Sequence, residues 1–365
     1  MSSPVQPRPW RRIRVLAVDD SAVVRGILRM VFDRSPEIEV AATASNGEEG
    51  LADFDRVHPD VVLLDIEMPG MNGLEALSAI RRRDRRVPVI MCSTLTSRGA
   101  QITLDALLRG ATDYVTKPAA QSGVRQAVET LGGDLIPKIL ALFAEPPPIA
   151  AEPRSAPALP PATSAVPRLV AVGVSTGGPA ALEKLLPALP SSFPLPVLVV
   201  QHMPQLFTRL LAERLNSLCA LSVREAADGE RAEAGTVVIA RGDWHMELTR
   251  DFRLCLNQDA PENFCRPSVD ALFRSAAQMA AGRVLGVVLT GMGSDGLAGS
   301  RAIRTAGGTV LAQDAASSVI WGMPGAVAGA GLASRILPLD AMAGEILRCA
   351  RVPVPGARPA EAVAV

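Results

Sequence analysis

Three residues whose side chains could carry out acyl transfer stand after apolar runs in the second half of the sequence. Ser175 ends "RLVAVGVS", His202 follows "LPVLVVQ", and Asp295 lies in the glycine-rich turn after "VLGVVLT". The carboxyl ends of parallel strands share one edge of a doubly wound sheet, so these side chains are predicted to meet there. A hydroxyl, an imidazole and a carboxylate would supply a nucleophile, its general base and a group that orients the base. The pattern predicts a serine hydrolase.

Each of these residues also has a purely structural interpretation. Ser175 could cap the helix that begins near Pro179, and Asp295 could cap the helix that follows it. His202 could be a buried histidine with a structural hydrogen bond. The hydrolase prediction therefore depends on the three residues occurring together at strand ends.

Two other motifs in the same segments suggest different chemistry. Gly291, Gly293 and Gly296 form G-x-G-x-x-G, the dinucleotide-binding fingerprint, and Asp314 stands about 20 residues later, where a ribose-binding acid belongs. A nucleotide-binding output domain without esterase activity is therefore the alternative hypothesis. Asp295 argues against it, because its charge would oppose a pyrophosphate at the helix N-terminus.

A nucleophile elbow is the other alternative for this half of the chain. Gly173-x-Ser175-x-Gly177 matches the G-x-S-x-G pattern of α/β-hydrolases. That fold carries its histidine late in the chain, and this reading would have to use His245, in the middle of a predicted hairpin. The sequence therefore fits the α/β-hydrolase pattern poorly, and the combination of Ser175, His202 and Asp295 at strand ends is preferred.

The first half of the sequence carries a cluster of acidic residues at strand ends. Asp19 and Asp20 end the first apolar run, and Asp65 ends the third. Ser93 and Lys117 end the fourth and fifth runs. Converging carboxylates repel one another unless a divalent cation intervenes, and hard oxygen ligands suit Mg²⁺, which would also neutralise a phosphoryl group. Helix capping by the aspartates is the structural alternative.

These residues require two α/β domains to position them. Five β/α units predict a doubly wound, flavodoxin-like parallel sheet over residues 12–143, ending in a helix at about Ser122 to Phe143. The Pro/Ala-rich residues 144–167 predict an extended linker. Residues 168–352 predict a second doubly wound, Rossmann-like and mostly parallel sheet, with "GTVVIARGDWHMELTRDFRLCL" as an antiparallel hairpin near one edge. Residues 353–365 are expected to be a disordered tail.

Composition limits the classes of protein to consider. Lys+Arg and Asp+Glu both number 37, and no basic helix–turn–helix pattern occurs, so we expect no nucleic-acid partner. Five cysteines form no C-x-x-C pair, which fits a reducing compartment without structural zinc. No apolar run reaches the length of a membrane span, so we expect a cytoplasmic location and no membrane insertion.

The motifs "VDDS", "LLDIEMPGMNGLE" and "YVTKP" resemble, in this order and spacing, the receiver domain of bacterial two-component response regulators. The resemblance implies that Asp65 accepts a phosphoryl group from a histidine kinase. It also implies switch roles for Ser93, Tyr114 and Lys117, and a cis Lys117–Pro118 bond. The implied Mg²⁺ ligands are Asp19 through water, Asp20, Asp65 and the backbone carbonyl of Glu67.

The motifs "GVSTGGP", "QHMP", "GDWHMEL", "RPSVDALF" and "LTGMGSDG" are similar to those of the chemotaxis protein-glutamate methylesterase/protein-glutamine glutaminase family. The resemblance implies Ser175 as nucleophile, His202 as base and Asp295 as orienting acid, with Thr176 and the Met292 backbone flanking the reaction centre. It implies methylated chemoreceptors as substrates, deamidase activity on glutamines, no cofactor for the hydrolysis, and activation when the receiver is phosphorylated.

Overall fold

The computed structural model divides the chain into two compact units, Met1–Ala144 and Glu145–Val365. It describes residues 11–94, 96–118, 123–144 and 166–352. Nearly all of the predicted linker and the whole predicted tail at 353–365 lie outside the described residues. No described helix has both the length and the apolar character needed to cross a bilayer.

The first unit is a five-stranded parallel sheet in the order β2-β1-β3-β4-β5, the doubly wound arrangement that the β/α alternation predicts. Its core contains the apolar residues of the strands together with the inner faces of α1 and α5. In chain order its elements are β1 Ile13–Val18, α1 Ala22–Phe32, β2 Ile38–Ala44, α2 Gly47–Val57, β3 Val61–Asp65, α3 Gly73–Arg83, β4 Val89–Ser93, α4 Ser97–Leu108, β5 Asp113–Thr116 and α5 Val124–Phe143.

Capping side chains fix where the helices of this unit begin. The Ser21 hydroxyl accepts a hydrogen bond from the Val24 N–H at the start of α1, directly after the aspartates that end β1. Asn72 and Glu75 form a reciprocal capping box at the start of α3. The cap of α1 therefore lies directly beside the strand end that carries Asp19 and Asp20.

One backbone expectation for this unit is wrong. The Lys117–Pro118 bond, expected to be cis, is trans. Arg266–Pro267 is the single cis peptide bond among the described residues. The trans form is the more stable one for a bond before proline, by about 0.5–1 kcal/mol.

The second unit is a seven-stranded sheet in the order β14-β13-β12-β6-β7-β9-β8, and every neighbouring pair is parallel. In chain order its elements are β6 Leu169–Val174, α6 Gly178–Leu185, a 3-10 turn Leu186–Ala188, β7 Val197–Gln201, α7 Gln205–Asn216, β8 Ser222–Glu225, β9 Thr236–Ile239, β10 His245–Leu248, β11 Leu254–Asn257, α8 Val269–Met279, β12 Val284–Val288, α9 Leu297–Thr305, β13 Thr309–Gln313, α10 Met323–Gly329, β14 Arg335–Leu337 and α11 Leu339–Cys349.

The strand order reverses between β6 and β12. From β6 the chain adds strands on one side through β7 and β9, and it later returns to add β12, β13 and β14 on the other side. A crevice outside the carboxyl ends of the strands at such a switch point is where ligands bind in open α/β sheets. Ser175 and the glycine-rich turn containing Asp295 follow β6 and β12, so both lie at this point.

The predicted hairpin is only half correct. β10 and β11 pair antiparallel as a separate two-stranded sheet, but Thr236–Ile239, expected to be part of the hairpin, is the parallel strand β9 of the main sheet. Three of its four residues are buried, as in a strand covered on both faces. The short edge strand β8 was not predicted, because "SVRE" has neither an apolar run nor a clear alternation.

Candidate active site

Ser175 stands one residue beyond the end of β6, beside the end of β7. Val174 is the register partner of Gln201, so Ser175 and His202 follow directly after a pair of neighbouring residues. The Ser175 N–H donates to the Thr290 carbonyl at 3.0 Å, and the Ser175 carbonyl accepts from the Gln201 side chain at 3.0 Å. These bonds tie its backbone to β7 and to the end of the β12 segment. The side-chain hydroxyl makes no hydrogen bond within the described ranges.

The imidazole of His202 and the carboxylate of Asp295 form a hydrogen bond. The Nε2 atom of His202 lies 2.8 Å from Oδ2 of Asp295, and the two side chains are 12% and 2% exposed. Burial alone would lower the pKa of His202, but hydrogen bonds with Asp295 and Cys265 outweigh it and raise the pKa to about 9. Burial opposes the charge of Asp295, yet hydrogen bonds from His202 and backbone N–H groups lower its pKa to about 2.

The carboxylate of Asp295 is held at the N-terminus of α8, not at that of its own helix α9. Its oxygens accept the N–H groups of Val269 and Asp270 in the first turn of α8, at 2.7 Å and 3.0 Å. A helix N-terminus favours a negative charge, so the position stabilises the ionised acid. Three further donors complete the shell, namely Ser268 Oγ, Asn263 Nδ2 and the Gly296 N–H.

The two predicted flanking residues lie in the turns that follow β6 and β12. The carbonyl of the buried Thr176 accepts a hydrogen bond from Thr290 Oγ1 at 2.9 Å, which ties the turn after β6 to the end of the β12 segment. Met292 is half-buried in the glycine-rich turn, and among the described residues its backbone N–H has no acceptor. A backbone N–H without an acceptor is available to stabilise a developing oxyanion.

The glycine fingerprint is explained by packing. A Cβ atom on Gly291 would collide with the sulfur of Met323 and lie 2.8 Å from Cβ of Ser175. Gly293 and Gly296 have φ values of 79° and 91°, which side chains rarely adopt. The buried acid between them faces His202. These observations account for all three glycines without a dinucleotide.

In the first unit, the predicted carboxylates gather around a lysine. Lys117 Nζ lies 2.7 Å from an oxygen of Asp19 and 2.7 Å from an oxygen of Asp65. Burial raises the pKa of Asp65 to about 6, although Lys117 opposes that shift. Burial also disfavours the lysine charge, but both carboxylates outweigh it and raise the pKa of Lys117.

The same cluster has the donor set of a divalent-cation site. One carboxylate oxygen from each of Asp19, Asp20 and Asp65 can be chosen so that all lie within 4.8 Å of one another. Asp19 and Asp65 are buried, whereas Asp20 is exposed and leaves the cluster open to solvent. Hard oxygen ligands with an open side fit Mg²⁺. Glu67 is exposed two residues beyond Asp65, and its side chain lies 3.7 Å from Arg98.

The remaining predicted switch residues contact neighbours other than Asp65. The buried Ser93 hydroxyl lies 2.6 Å from Oγ1 of Thr103 on α4, and Lys117 donates its N–H to the Ser93 carbonyl at 2.7 Å. Tyr114 is half-buried in β5 with the Lys138 ammonium 5.4 Å from its ring centre. Burial raises the pKa of its phenol.

Sequence reasoning missed several residues that contact the reactive groups. Cys265 Sγ lies 3.5 Å from Nδ1 of His202, a contact that no sequence pattern indicated. Ser268 and Asn263 bind Asp295, and Gln201 binds the Ser175 backbone. Ser268 had a usable signal, because a serine before an amphipathic run marks a helix N-cap. His245 has structural contacts only, with the Ala260 carbonyl and the Ser268 N–H.

Each of the two units matches a known protein family. The family model described as CheB methylesterase matches residues 170–346, and that of the response regulator receiver domain matches residues 15–129. The protein-glutamate methylesterase/protein-glutamine glutaminase of Trichodesmium erythraeum is 47% identical, over 92% of this chain and 99% of its own. Proteins of the same name from a Nocardioides species and Maricaulis maris are 50% and 41% identical, over 92% and 93% of this chain and 95% and 96% of theirs. The chain therefore belongs to the family of protein-glutamate methylesterases/protein-glutamine glutaminases that carry a receiver domain.

Proposed function

We propose that this protein hydrolyses the methyl esters of glutamate side chains in the cytoplasmic regions of chemoreceptors, through Ser175, His202 and Asp295. The observation that carries the proposal is the 2.8 Å hydrogen bond between His202 and Asp295 next to the strand end that bears Ser175. Family membership over nearly the whole chain supports this substrate class.

The proposed chemistry uses both ring nitrogens of His202. Asp295 holds the proton on Nε2 of His202, which leaves Nδ1 to take the proton of the Ser175 hydroxyl as its oxygen attacks the ester carbonyl carbon. The tetrahedral oxyanion would be stabilised by backbone N–H groups at Thr176 and Met292, a contribution of about 3 kcal/mol for each donor. The imidazolium then protonates the departing methoxide, and methanol leaves an acyl-serine.

Water completes the cycle by the same route. His202 takes a proton from a water molecule, whose oxygen attacks the acyl carbon. The bond to Ser175 then breaks, and the imidazolium returns the proton to the Ser175 oxygen as the glutamate side chain is released. A glutamine side chain presents the same carbonyl carbon with an amine leaving group. Deamidation would therefore release ammonia from the same site and yield the same product.

The receiver unit would regulate this chemistry. We infer that Asp65 accepts a phosphoryl group from a histidine kinase of the same sensory pathway, which the receiver family match supports. Asp20, Asp65, the Glu67 carbonyl and, through water, Asp19 would hold Mg²⁺, which neutralises phosphoryl charge when bound. Lys117, already paired with Asp65, would contact the phosphoryl oxygens, and Ser93 and Tyr114 would rearrange. Phosphorylation shifts the protein toward a more active state.

The test uses the full chain and receptor fragments with labelled methyl esters. The parent protein should release volatile label, faster with a small phosphodonor present, and Ser175→Ala should release none above background. Ser217→Ala, which alters a serine bonded to the Arg214 carbonyl in another part of the unit, is the matched control. Asp65→Asn should keep the basal rate and lose the response. If Ser175→Ala released the label at the parent rate, the proposed serine hydrolase mechanism would be refuted. If the phosphodonor did not change the rate of the parent protein, the proposed regulation would be refuted.

A further inference from the structure

The thiol of Cys265 contacts the catalytic imidazole, and the esterase chemistry gives it no task. Its Sγ lies 3.5 Å from Nδ1 of His202, the ring nitrogen that Asp295 leaves free. Reciprocal backbone hydrogen bonds of 2.8 Å and 3.1 Å with Glu262 hold the short turn that carries the cysteine. The thiol is therefore presented to His202 by a fixed backbone.

The separation of the two atoms suits a metal ion. Zn²⁺ binds thiolate sulfur at about 2.3 Å and imidazole nitrogen at about 2.0–2.1 Å, so tetrahedral ligands of these kinds stand about 3.5 Å apart. The sulfur–nitrogen distance in this site, 3.5 Å, is the same. A thiolate with an imidazole also favours zinc over Mg²⁺ or Ca²⁺, which prefer oxygen ligands.

The surroundings of His202 supply the support that zinc ligands need. A zinc-binding histidine usually donates its second ring N–H to a carboxylate, which orients the ring and raises its basicity. Asp295 already occupies that position at 2.8 Å from Nε2. Ligand atoms of His202, Cys265 and Asp295 all lie within 4.8 Å of one another. The His202 side chain keeps 12% of its surface exposed.

We propose that His202 and Cys265 form an inhibitory zinc site, a conclusion about regulation that rests on the proposed esterase function. Zn²⁺ would bind Nδ1 of His202 and Sγ of Cys265, with Asp295 supporting Nε2–H and water completing the tetrahedron. The Cys265 thiol proton is released to solvent on binding. The ion occupies the lone pair that accepts the Ser175 proton, so the enzyme with zinc bound cannot activate its nucleophile.

Cobalt binding and ester hydrolysis test the proposal separately. Co²⁺ added to the full chain should give a thiolate-to-cobalt absorption band that Cys265→Ser and His202→Gln lack. Cys219→Ser, which alters a half-buried cysteine outside this cluster, should keep the band. Loss of an outer-shell partner alone weakens metal binding by about 10–100-fold, so loss of either ligand should remove the band at the Co²⁺ concentration that saturates the parent. A band that survives unchanged in Cys265→Ser, or no band in the parent, would overturn the site.

The rate measurement uses Zn²⁺, with each variant compared with its own rate in chelator. Zinc should suppress methanol release by the parent and Cys219→Ser, chelator should restore it, and Cys265→Ser should be at least about tenfold less sensitive. Equal sensitivity in Cys265→Ser and the parent would overturn the inhibition. If the parent releases no methanol even in chelator, the esterase function fails while the cobalt band still decides whether the site exists.

Discussion

The Nε2 atom of His202 lies 2.8 Å from Oδ2 of Asp295, although 93 positions separate the two residues in the chain. Strands β7 and β12 lie on opposite sides of β6 and bring their carboxyl ends to one edge of the sheet. The N-terminus of α8 fixes the carboxylate there through two backbone N–H groups. The orientation of the imidazole therefore depends on α8 as well as on the sheet.

Asp295→Asn should lower kcat for ester hydrolysis by roughly 10³–10⁴-fold, because an amide cannot hold the required tautomer or stabilise the imidazolium. Asp314→Asn is the control, since that carboxylate binds Ser317 and not His202. Initial rates of methanol release measure both. If Asp314→Asn instead lost activity and Asp295→Asn did not, the nucleotide-binding interpretation of the glycine loop would regain support.

Activity should depend steeply on pH because the pKa of His202 is raised to about 9. A raised pKa favours the imidazolium, which cannot accept a proton, so the active base forms only as the pH rises through that value. Below pH 9, kcat/KM should increase about tenfold for each pH unit, and it should level off above. Asp295 contributes no further change in this range, since its pKa is near 2. A profile that is flat from pH 6 to pH 9 would contradict the assignment of His202 as base.

Much of the fold and of the site could be predicted from the sequence, for reasons that particular residues make clear. Apolar strand runs such as β6 and β12 are long enough to identify, and polar residues directly after them lie at the carboxyl edge of a parallel sheet. That rule predicted Ser175, His202 and Asp295 at one edge, and the structure brings His202 and Asp295 within hydrogen-bonding distance. It also predicted Asp19, Asp65 and Lys117 at one edge, and the structure brings these three together.

The parts that could not be predicted depend on irregular backbone or on long-range packing. Cys265 and Asn263 lie in a segment without helical or strand periodicity, so no pattern indicated which way their side chains point. The N-terminus of α8 binds a carboxylate from a distant turn, a contact that local capping rules do not reveal. β9 was misassigned because a short apolar run fits a hairpin and a buried parallel strand equally well.

Lys117→Met should destabilise the receiver unit, because it leaves Asp19 and Asp65 buried without their cation. Breaking a buried ion pair by removing one partner costs about 3–5 kcal/mol. Amide hydrogen exchange of β3 measures this loss for the receiver unit alone. Added Mg²⁺ should restore part of the protection by supplying positive charge. Lys138→Met, which removes a less buried lysine 3.1 Å from Asp113, should cost less. If the two variants lost equal amounts of hydrogen-exchange protection, or if Mg²⁺ did not raise the protection of Lys117→Met, the proposed divalent-cation site would be contradicted.

Gly291→Ala tests whether the first glycine of the fingerprint serves the nucleophile. The added Cβ would lie 2.8 Å from Cβ of Ser175 and would also collide with Met323, so Ser175 must move relative to His202. A displacement of about 1 Å can lower the rate roughly 100-fold. We expect a loss of this size in kcat for methanol release.

The control for this prediction is Gly344→Ala in α11, where an added Cβ meets no atom within 4 Å. Replacing glycine by alanine in a helix stabilises it by about 0.5–1 kcal/mol, so this variant should keep its rate and gain stability. Thermal unfolding of both variants separates a displaced nucleophile from a general loss of structure. If Gly291→Ala kept the parent kcat, the close contact between the glycine loop and Ser175 would have no catalytic consequence, and the fingerprint would need another explanation.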